Sequence, residues 1–218
     1  MKLQQPRLQG QSTHVDCDGC HRGQCPLDWG DACGVFGIYA PGEEVSRITY
    51  FGLFALQHRG QESAGIAAWH PLEGMQLHKA AGLAFQVFSE QTLRNLIGDV
   101  ALGHVRYAPS GTSVVANAEP TLGRGRFGPF AIGHNGNLLN AQALYEQLAA
   151  VGAQPDGNSD AGVMAALLSR SDADTLEDAI VQMMGQIEGA YSLVLLAPRR
   201  IIAVRDPYGV RPLCIGRL

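Results

Sequence analysis

Asp31-Ala32-Cys33-Gly34-Val35-Phe36-Gly37-Ile38-Tyr39 is the stretch that orients the rest of the chain, because a polar, cysteine-bearing leader gives way at Cys33 to a hydrophobic strand. Val35, Phe36, Ile38 and Tyr39 leave little polar surface on either face, as expected of a strand held between two layers. Pro41-Gly42 ends it. If the leader is cut between Ala32 and Cys33, one residue carries both a nucleophile and a base. The thiol would attack, and the freed α-amine, with an ordinary pKa of about 7.7–8.0, would accept and return protons near neutral pH.

Upstream, Gln4, Gln5, Gln9 and Gln11 and the lack of apolar periodicity predict a flexible leader over residues 1–32. It contains His14, Cys17, Cys20, His21 and Cys25, and the Cys17-x2-Cys20-x4-Cys25 spacing is compatible with a zinc site. A second, well-spaced ligand pair is lacking, so a disordered segment with incidental thiols is the preferred reading and no metal is expected.

Composition narrows the classes. The 218 residues, 46% hydrophobic and 17% charged, suit one globular domain with a core large enough to stand without staples. A net charge of −4 without any Lys/Arg run argues against nucleic acid or anionic lipid as partner. No apolar run approaches the roughly 20 residues of a membrane helix, and the leader lacks the apolar core of a secretory signal. A cytoplasmic protein with reduced thiols is expected, since the five cysteines are odd in number and three crowd into Cys17–Cys25.

Downstream, Val45, Ile48, Gly52, Ala55 and Leu56 predict a helix over Val45–Gln57. Phe51, Leu53 and Phe54 widen its apolar surface, which predicts that it is largely buried. It delivers the polar run Gln57-His58-Arg59-Gly60-Gln61-Glu62 to the next strand, Ala64–Trp69. A strand at Met75–Ala80 and a short helix at Ser89–Leu96 follow. Val100–Tyr107 alternates so that His104 and Arg106 share one face near a strand end. Pro109-Ser110-Gly111 predicts a turn, residues 117–128 an exposed loop or hairpin tip, and Phe130–His134 a strand running into a turn at Asn135-Gly136-Asn137. Three helices follow: one N-capped by Asn140, one opening at Asp160, and one opening with the capping box Thr175–Asp178. Strands are expected at Tyr191–Ala197 and Arg200–Arg205, and a last one at Leu213–Gly216. Strands early, helices in mid-chain and strands late give an α+β layered domain.

Several polar groups suit a site built around Cys33, and each has a plainer reading. Asn135 and Gly136 offer an amide and a backbone N–H for an oxyanion, although Asn-Gly is also a strong hairpin-turn signal. Arg106 presents a planar fork for a carboxylate, or forms a surface ion pair. Asp160 suits an ammonium group, or caps a helix. Arg59 pairs with a site carboxylate, or caps the helix before it. His104 and His134 leave open an internal Cys33 with a histidine base.

Taken together, six ordered motifs resemble the glutaminase half of the amidophosphoribosyltransferase family. They are Cys33-Gly-Val-Phe-Gly-Ile38, Leu56-Gln-His-Arg-Gly-Gln-Glu-Ser-Ala-Gly-Ile66, Gly103-His-Val-Arg-Tyr107, Gly133-His-Asn-Gly-Asn137, Asn158-Ser-Asp160 and Arg205-Asp-Pro-Tyr-Gly-Val-Arg-Pro-Leu213. The resemblance spans residues 33–218 and implies an α-β-β-α four-layer sandwich of the N-terminal-nucleophile hydrolase type, with class II glutamine amidotransferase chemistry. It implies residues 1–32 as a propeptide, Cys33 as nucleophile and base, and Asn135 with Gly136 as oxyanion hole. It assigns Arg106 to the glutamine α-carboxylate and Asp160 to its α-ammonium, with Arg59 and Tyr107 ordering the closed site. Glutamine would yield glutamate and ammonia for phosphoribosylamine synthesis in purine biosynthesis.

Two stretches depart from the family pattern. Pro109 stands where a threonine is expected, and Ala161-Gly162 stand where a hydroxyl residue and a glutamate are expected. The family continues into a phosphoribosyltransferase domain, of which no acidic diphosphate-binding motif occurs here. No cofactor is expected in this chain; Mg2+ and, in some members, an iron–sulfur cluster belong to that further domain. The implied partners are glutamine, a phosphoribosyltransferase domain or subunit, and further copies of the full-length protein. A non-catalytic glutamine-binding remnant and the glutaminase part of another class II amidotransferase are the alternatives.

Overall fold

The computed structural model describes residues 33–107, 115–155 and 157–217. The leader with Cys17, Cys20 and Cys25, and the turn expected at Pro109-Ser110-Gly111, lie outside these residues. Among the described residues eight strands form two antiparallel sheets. The first, in spatial order β1 (Gly34–Tyr39), β4 (Val100–Arg106), β2 (Ser63–His70) and β3 (Gly74–Ala81), carries α1 (Val45–Leu56), α2 (Ala84–Val87) and α3 (Glu90–Asn95). The second is ordered β5 (Thr121–Gly125), β6 (Gly128–Leu138), β7 (Gly189–Ala197) and β8 (Arg200–Arg205). Its outer face carries α4 (Ala141–Ala150), α5 (Asp160–Arg170) and α6 (Leu176–Met184).

Three apolar seams hold these four layers together. Leu53, Ile66, Phe88 and Val105 fill the seam between the first sheet and its helices. Ile132, Met164, Leu168, Leu176, Met183 and Leu193 fill the one beneath α4–α6. Between the sheets lie Ala67, Trp69, Val100, Leu102, Ala131, Val194 and Leu196. This is the expected α-β-β-α sandwich. Strands in the middle of such a stack are covered on both faces, which is why β2 and β7 read as nearly continuous apolar runs.

Local chemistry explains most boundaries. Ser89, Ser159 and Thr175 each accept a backbone N–H of the helix that they start, so α3, α5 and α6 begin at side-chain caps. Asn140 does not cap α4 as expected. Its Nδ2 donates to the Gln186 carbonyl and its Oδ1 accepts from Glu188 N–H, tying the α4 entrance to the α6–β7 connection.

Four further expectations are corrected. Asn135-Gly136-Asn137 is not a turn, because β6 continues to Leu138 and pairs Asn135 with Ser192 and Gly136 with Tyr191. Residues 117–128 contain the expected hairpin tip, at Gly125–Gly128 between β5 and β6, but residues 117–121 are buried and not exposed. No strand forms at Leu213–Gly216. On α1, Leu53 is fully buried whereas Phe51 and Phe54 are 63% and 57% exposed, because the sheet covers only one side of the helix.

Leu53→Ala should therefore lower unfolding free energy by about 2–5 kcal/mol through loss of buried surface and the cavity left behind. Phe54→Ala should cost less than about 1 kcal/mol. Chemical denaturation of the two variants checks the contrast; equal losses would mean that both faces of α1 are buried.

Candidate functional site

The seam between the sheets is apolar along most of its length and turns polar at one end. Register decides what meets there. β1 pairs Gly34 with Val105, so the next residues along, Cys33 and Arg106, are neighbours; β2 pairs Ser63 with Arg106 on the other side. One step inward His104 lies between Val35 and Gly65. On the facing sheet, alternation along β6 puts Asn135 and Asn137 on the same face as Gly133 and Ala131. That face meets the first sheet: Ala131 belongs to the inter-sheet core, and a Cβ on Gly133 would lie 3.3 Å from both Val35 and Leu102.

Cys33 is held from two directions, at its backbone and at its thiol. Arg59, in the 3-10 turn Gln57–Arg59 after α1, donates from Nε to the Cys33 carbonyl at 3.2 Å. The Tyr107 N–H reaches the thiol. Among the described residues Arg59 thus neither caps α1 nor pairs with a carboxylate. Gly60 is required next to it, since a Cβ there would come within 2.6–2.8 Å of the Val105–Arg106 backbone. Burial, reinforced by the charge of Glu119, pushes the Cys33 thiol up to about 11, against the Tyr107 N–H and Arg106. A thiol held so high is a weak nucleophile at neutral pH and needs a base beside it.

Neither histidine is engaged with that thiol. His104 Nε2 donates to the His134 carbonyl at 2.8 Å, and both imidazoles are buried. Burial lowers His104 to about 4 and His134 to about 3, with the charge of His104 adding to the second shift. His104 Nδ1 and His134 Nε2 are buried without partners. They are neutral structural rings at working pH.

Arg106 is the electrostatic centre: its charge reaches Cys33, His104, Glu119 and Asp160. Its Nη1 lies 2.7 and 2.6 Å from the two oxygens of Glu62, with both side chains largely buried, so it is no surface ion pair. Asp160 opens α5, but Ser159 supplies the cap. Asp160 Oδ2 instead accepts from Leu138 N–H at 2.8 Å at the end of β6. Burial raises its carboxyl, while that N–H and Arg106 oppose the shift. A cation and an anion thus stand at the same end of the seam, as a zwitterionic ligand requires.

Asn135 is 6% exposed, and among the described residues its Oδ1 accepts no hydrogen bond. Gly136 has a steric reason to be glycine: a Cβ would lie 2.0 Å from the Ala190 carbonyl oxygen on β7. The Arg205–Leu213 motif closes over the same end. Asp206 is held below its ordinary value by N–H groups of Val210, Tyr191, Tyr208 and Gly209 despite burial. Ser192, opposite Asn135, contacts the Arg211 and Pro212 carbonyls from its hydroxyl at 3.2 Å.

Reading the residues in order did not single out Glu62 or Glu119. Glu62 sits inside a quoted motif, but its pairing with Arg106 arises across 44 positions. Glu119 is 4% exposed, accepts the His134 N–H at 2.6 Å and lies 3.4 Å from His104 Nε2. Burial pushes its carboxyl up to about 8. Among the described residues no group of His, Cys, Asp or Glu is arranged to hold a metal, and the two cysteines there, Cys33 and Cys214, do not make an iron–sulfur ligand set. No described helix is long and apolar enough to cross a membrane.

The buried groups set the pH dependence of stability. Unfolded histidines bind protons below about 6.5, whereas folded His104 and His134 do so only near 4 and 3, so acid favours unfolding in that window. Folded Glu119 keeps its proton to about 8 but loses it near 4.5 when unfolded, so its contribution falls as pH rises between those values. Two histidines outweigh one glutamate below pH 6.5. Thermal denaturation should show greatest stability near pH 6.5, with a loss on the order of 1–2 kcal/mol by pH 8. A steady gain in stability up to pH 8 would contradict these assignments.

Comparison with known proteins agrees with this geometry. The profile of the family described as "Glutamine amidotransferase domain" matches residues 104–218. The amidophosphoribosyltransferase of Synechococcus elongatus is 43% identical over 210 residues, covering 95% of this chain and 42% of that protein. That of Methanocaldococcus jannaschii is 44% identical over 190 residues, covering 85% and 40%. The glutamine phosphoribosylpyrophosphate amidotransferase of B. subtilis, solved with ADP and GMP, superposes with a TM-score of 0.76 at 42% identity, covering 84% of this chain and 39% of that one. The chain spans about two fifths of the length of these relatives.

Proposed function

The chain belongs to the glutamine amidotransferase domain family, and on that premise we propose that it hydrolyses glutamine to glutamate and ammonia with Cys33 as nucleophile. The observation that carries the proposal is the convergence of Cys33, Arg106, Asp160 and Asn135 at the one polar end of the inter-sheet seam. Arg106 binds the α-carboxylate of glutamine, for which it exchanges or shares Glu62, and Asp160 binds the α-ammonium. Arg59 and Tyr107 hold Cys33 in place from its carbonyl and thiol sides.

Cleavage between Ala32 and Cys33 supplies the missing base. The two histidines are buried and neutral, and His104 is engaged with the His134 carbonyl, so in this reading the α-amine freed by cleavage is the proton acceptor that the raised thiol lacks. The sulfur attacks the side-chain amide carbon, and the Asn135 amide with the Gly136 N–H stabilises the oxyanion. The C–N bond breaks, the amine returns its proton to the leaving ammonia, and a thioester remains. Water then attacks the thioester, glutamate leaves and the thiol is restored.

Ammonia so released feeds phosphoribosylamine formation, the entry to purine synthesis, in a phosphoribosyltransferase domain or subunit outside residues 33–218. Mg2+ and any iron–sulfur cluster belong to that partner in this reading. A cytoplasmic location and assembly of the full-length protein into homo-oligomers go with it. A non-catalytic remnant is disfavoured, because the matched family profile runs through both departing stretches, residues 108–111 and 161–162.

Cys33→Ala should lower glutamine turnover by at least roughly 10³-fold, read as glutamate release, since no other group here forms the thioester. Turnover surviving in that variant would remove Cys33 from the chemistry. Arg106→Lys should raise the KM for glutamine roughly 10- to 100-fold with a smaller change in kcat, because a point charge replaces the fork. An unchanged KM would assign Arg106 to structure alone.

A further inference from the structure

The segment Asn117–Glu119 is a buried strap across the site that the proposed chemistry does not use. Asn117 Nδ2 donates to Asn158 Oδ1 at 2.7 Å and Asn117 Oδ1 accepts from Asn158 N–H, two residues before Asp160. Lys79 donates from Nζ to the Ala118 carbonyl at 2.6 Å. The Glu119 carbonyl packs on Gly65, where a Cβ would lie 2.2 Å from its oxygen. Its side chain enters the core and accepts the N–H of His134, the residue before Asn135.

We propose that Glu119 is a positioning residue of the site, which holds the β6 backbone beside Asn135 through His134 and, by its charge, controls the reactivity of the Cys33 thiol. The geometry supports both parts. Removing the acceptor leaves a buried N–H unpaired next to the oxyanion amide, a local penalty and a loss of register where the amide must be fixed. The carboxyl lies 3.4 Å from His104 Nε2, and His104 pairs with Val35, two residues along β1 from Cys33, so a negative charge there opposes thiolate formation. The groups that face Glu119 are His104 and Arg106 from β4, Lys79 from β3, Asp160 from α5 and Cys33 before β1. Arg106 and Lys79 favour the carboxylate, Asp160 opposes it, and burial dominates. The carboxyl therefore changes charge near pH 8, inside the range in which an α-amine base works.

This inference rests on Cys33 being the nucleophile, so its test reads the thiol directly and does not need turnover. The rate of Cys33 alkylation by iodoacetamide, followed by mass spectrometry of the Cys33 peptide from pH 6 to 11, is compared between the wild-type chain and Glu119→Gln. Gln keeps an acceptor oxygen for His134 but carries no charge. The alkylation midpoint should fall by roughly half a pH unit or more, a shift expected when a nearby like charge is removed. Glutamine turnover should be higher in Glu119→Gln than in Glu119→Ala, which loses the acceptor as well. Superimposable alkylation profiles for wild type and Glu119→Gln would overturn the proposal, and so would equal turnover in the two variants. If Glu119→Ala fails to fold, the Glu119→Gln profile decides alone. Persistent turnover in Cys33→Ala would instead strike at the nucleophile assignment, whatever the alkylation profiles show.

Discussion

The pairing register of β1 on β4 is the constraint from which the site follows. With Gly34 opposite Val105, Cys33 falls beside Arg106 and on the face turned toward the second sheet. A slip of β1 by one residue would turn the sulfur toward the α1 layer and away from Arg106, because side chains alternate along a strand. Packing enforces the register. A Cβ on Gly34 would lie 2.8 Å from Val105 and 2.9 Å from Leu56, and one on Gly37 would lie 2.7 Å from Val194, so the small residues of β1 fit only at these positions. The glycines of the opening motif are therefore spacers between layers, and Cys33 sits at their edge.

The same seam explains the separation between scaffold and chemistry. Its apolar stretch, from Trp69 and Val100 to Leu102 and Val194, fixes the distance and angle of the two sheets. Where it ends, each sheet contributes polar groups from strand termini: Arg106 from β4, Asn135 from β6, and Ser192 from β7. Helix α5 adds Asp160, freed from capping by Ser159. Because these groups sit in or beside hydrogen-bonded strands, the fold itself holds them in place, the preorganisation that the proposed chemistry calls for. Burial has a cost: it leaves the thiol high and the histidines neutral, which is why the proposed chemistry draws its base from a freed α-amine.

Much of this was legible in the sequence, and the failures have physical causes. Helices α5 and α6 and strands β1, β2, β4, β7 and β8 carried clear periodicity or caps, and the site residues could be nominated from their motifs. Asn135-Gly136 was misread as a turn because that dipeptide is a strong local signal; eight paired positions with β7 override it. The apolar excess of α1 overstated its burial, since periodicity does not reveal that only one side meets a sheet and that Phe51 and Phe54 face outward. Glu119 was invisible because its role depends on non-local burial against His104 and His134, for which a lone glutamate before a proline gives no sign.

The most direct measurement is the site of covalent attachment of a diazoketone analogue of glutamine, read by top-down mass spectrometry of the intact chain. Such a reagent is recognised as glutamine and captured by the nucleophile that attacks its reactive carbon. One adduct is expected, on the sulfur of Cys33, in a chain whose first residue is Cys33. An adduct on Cys214 or on a histidine, or labelling of a chain that still carries residues 1–32, would contradict a nucleophile that supplies its own base.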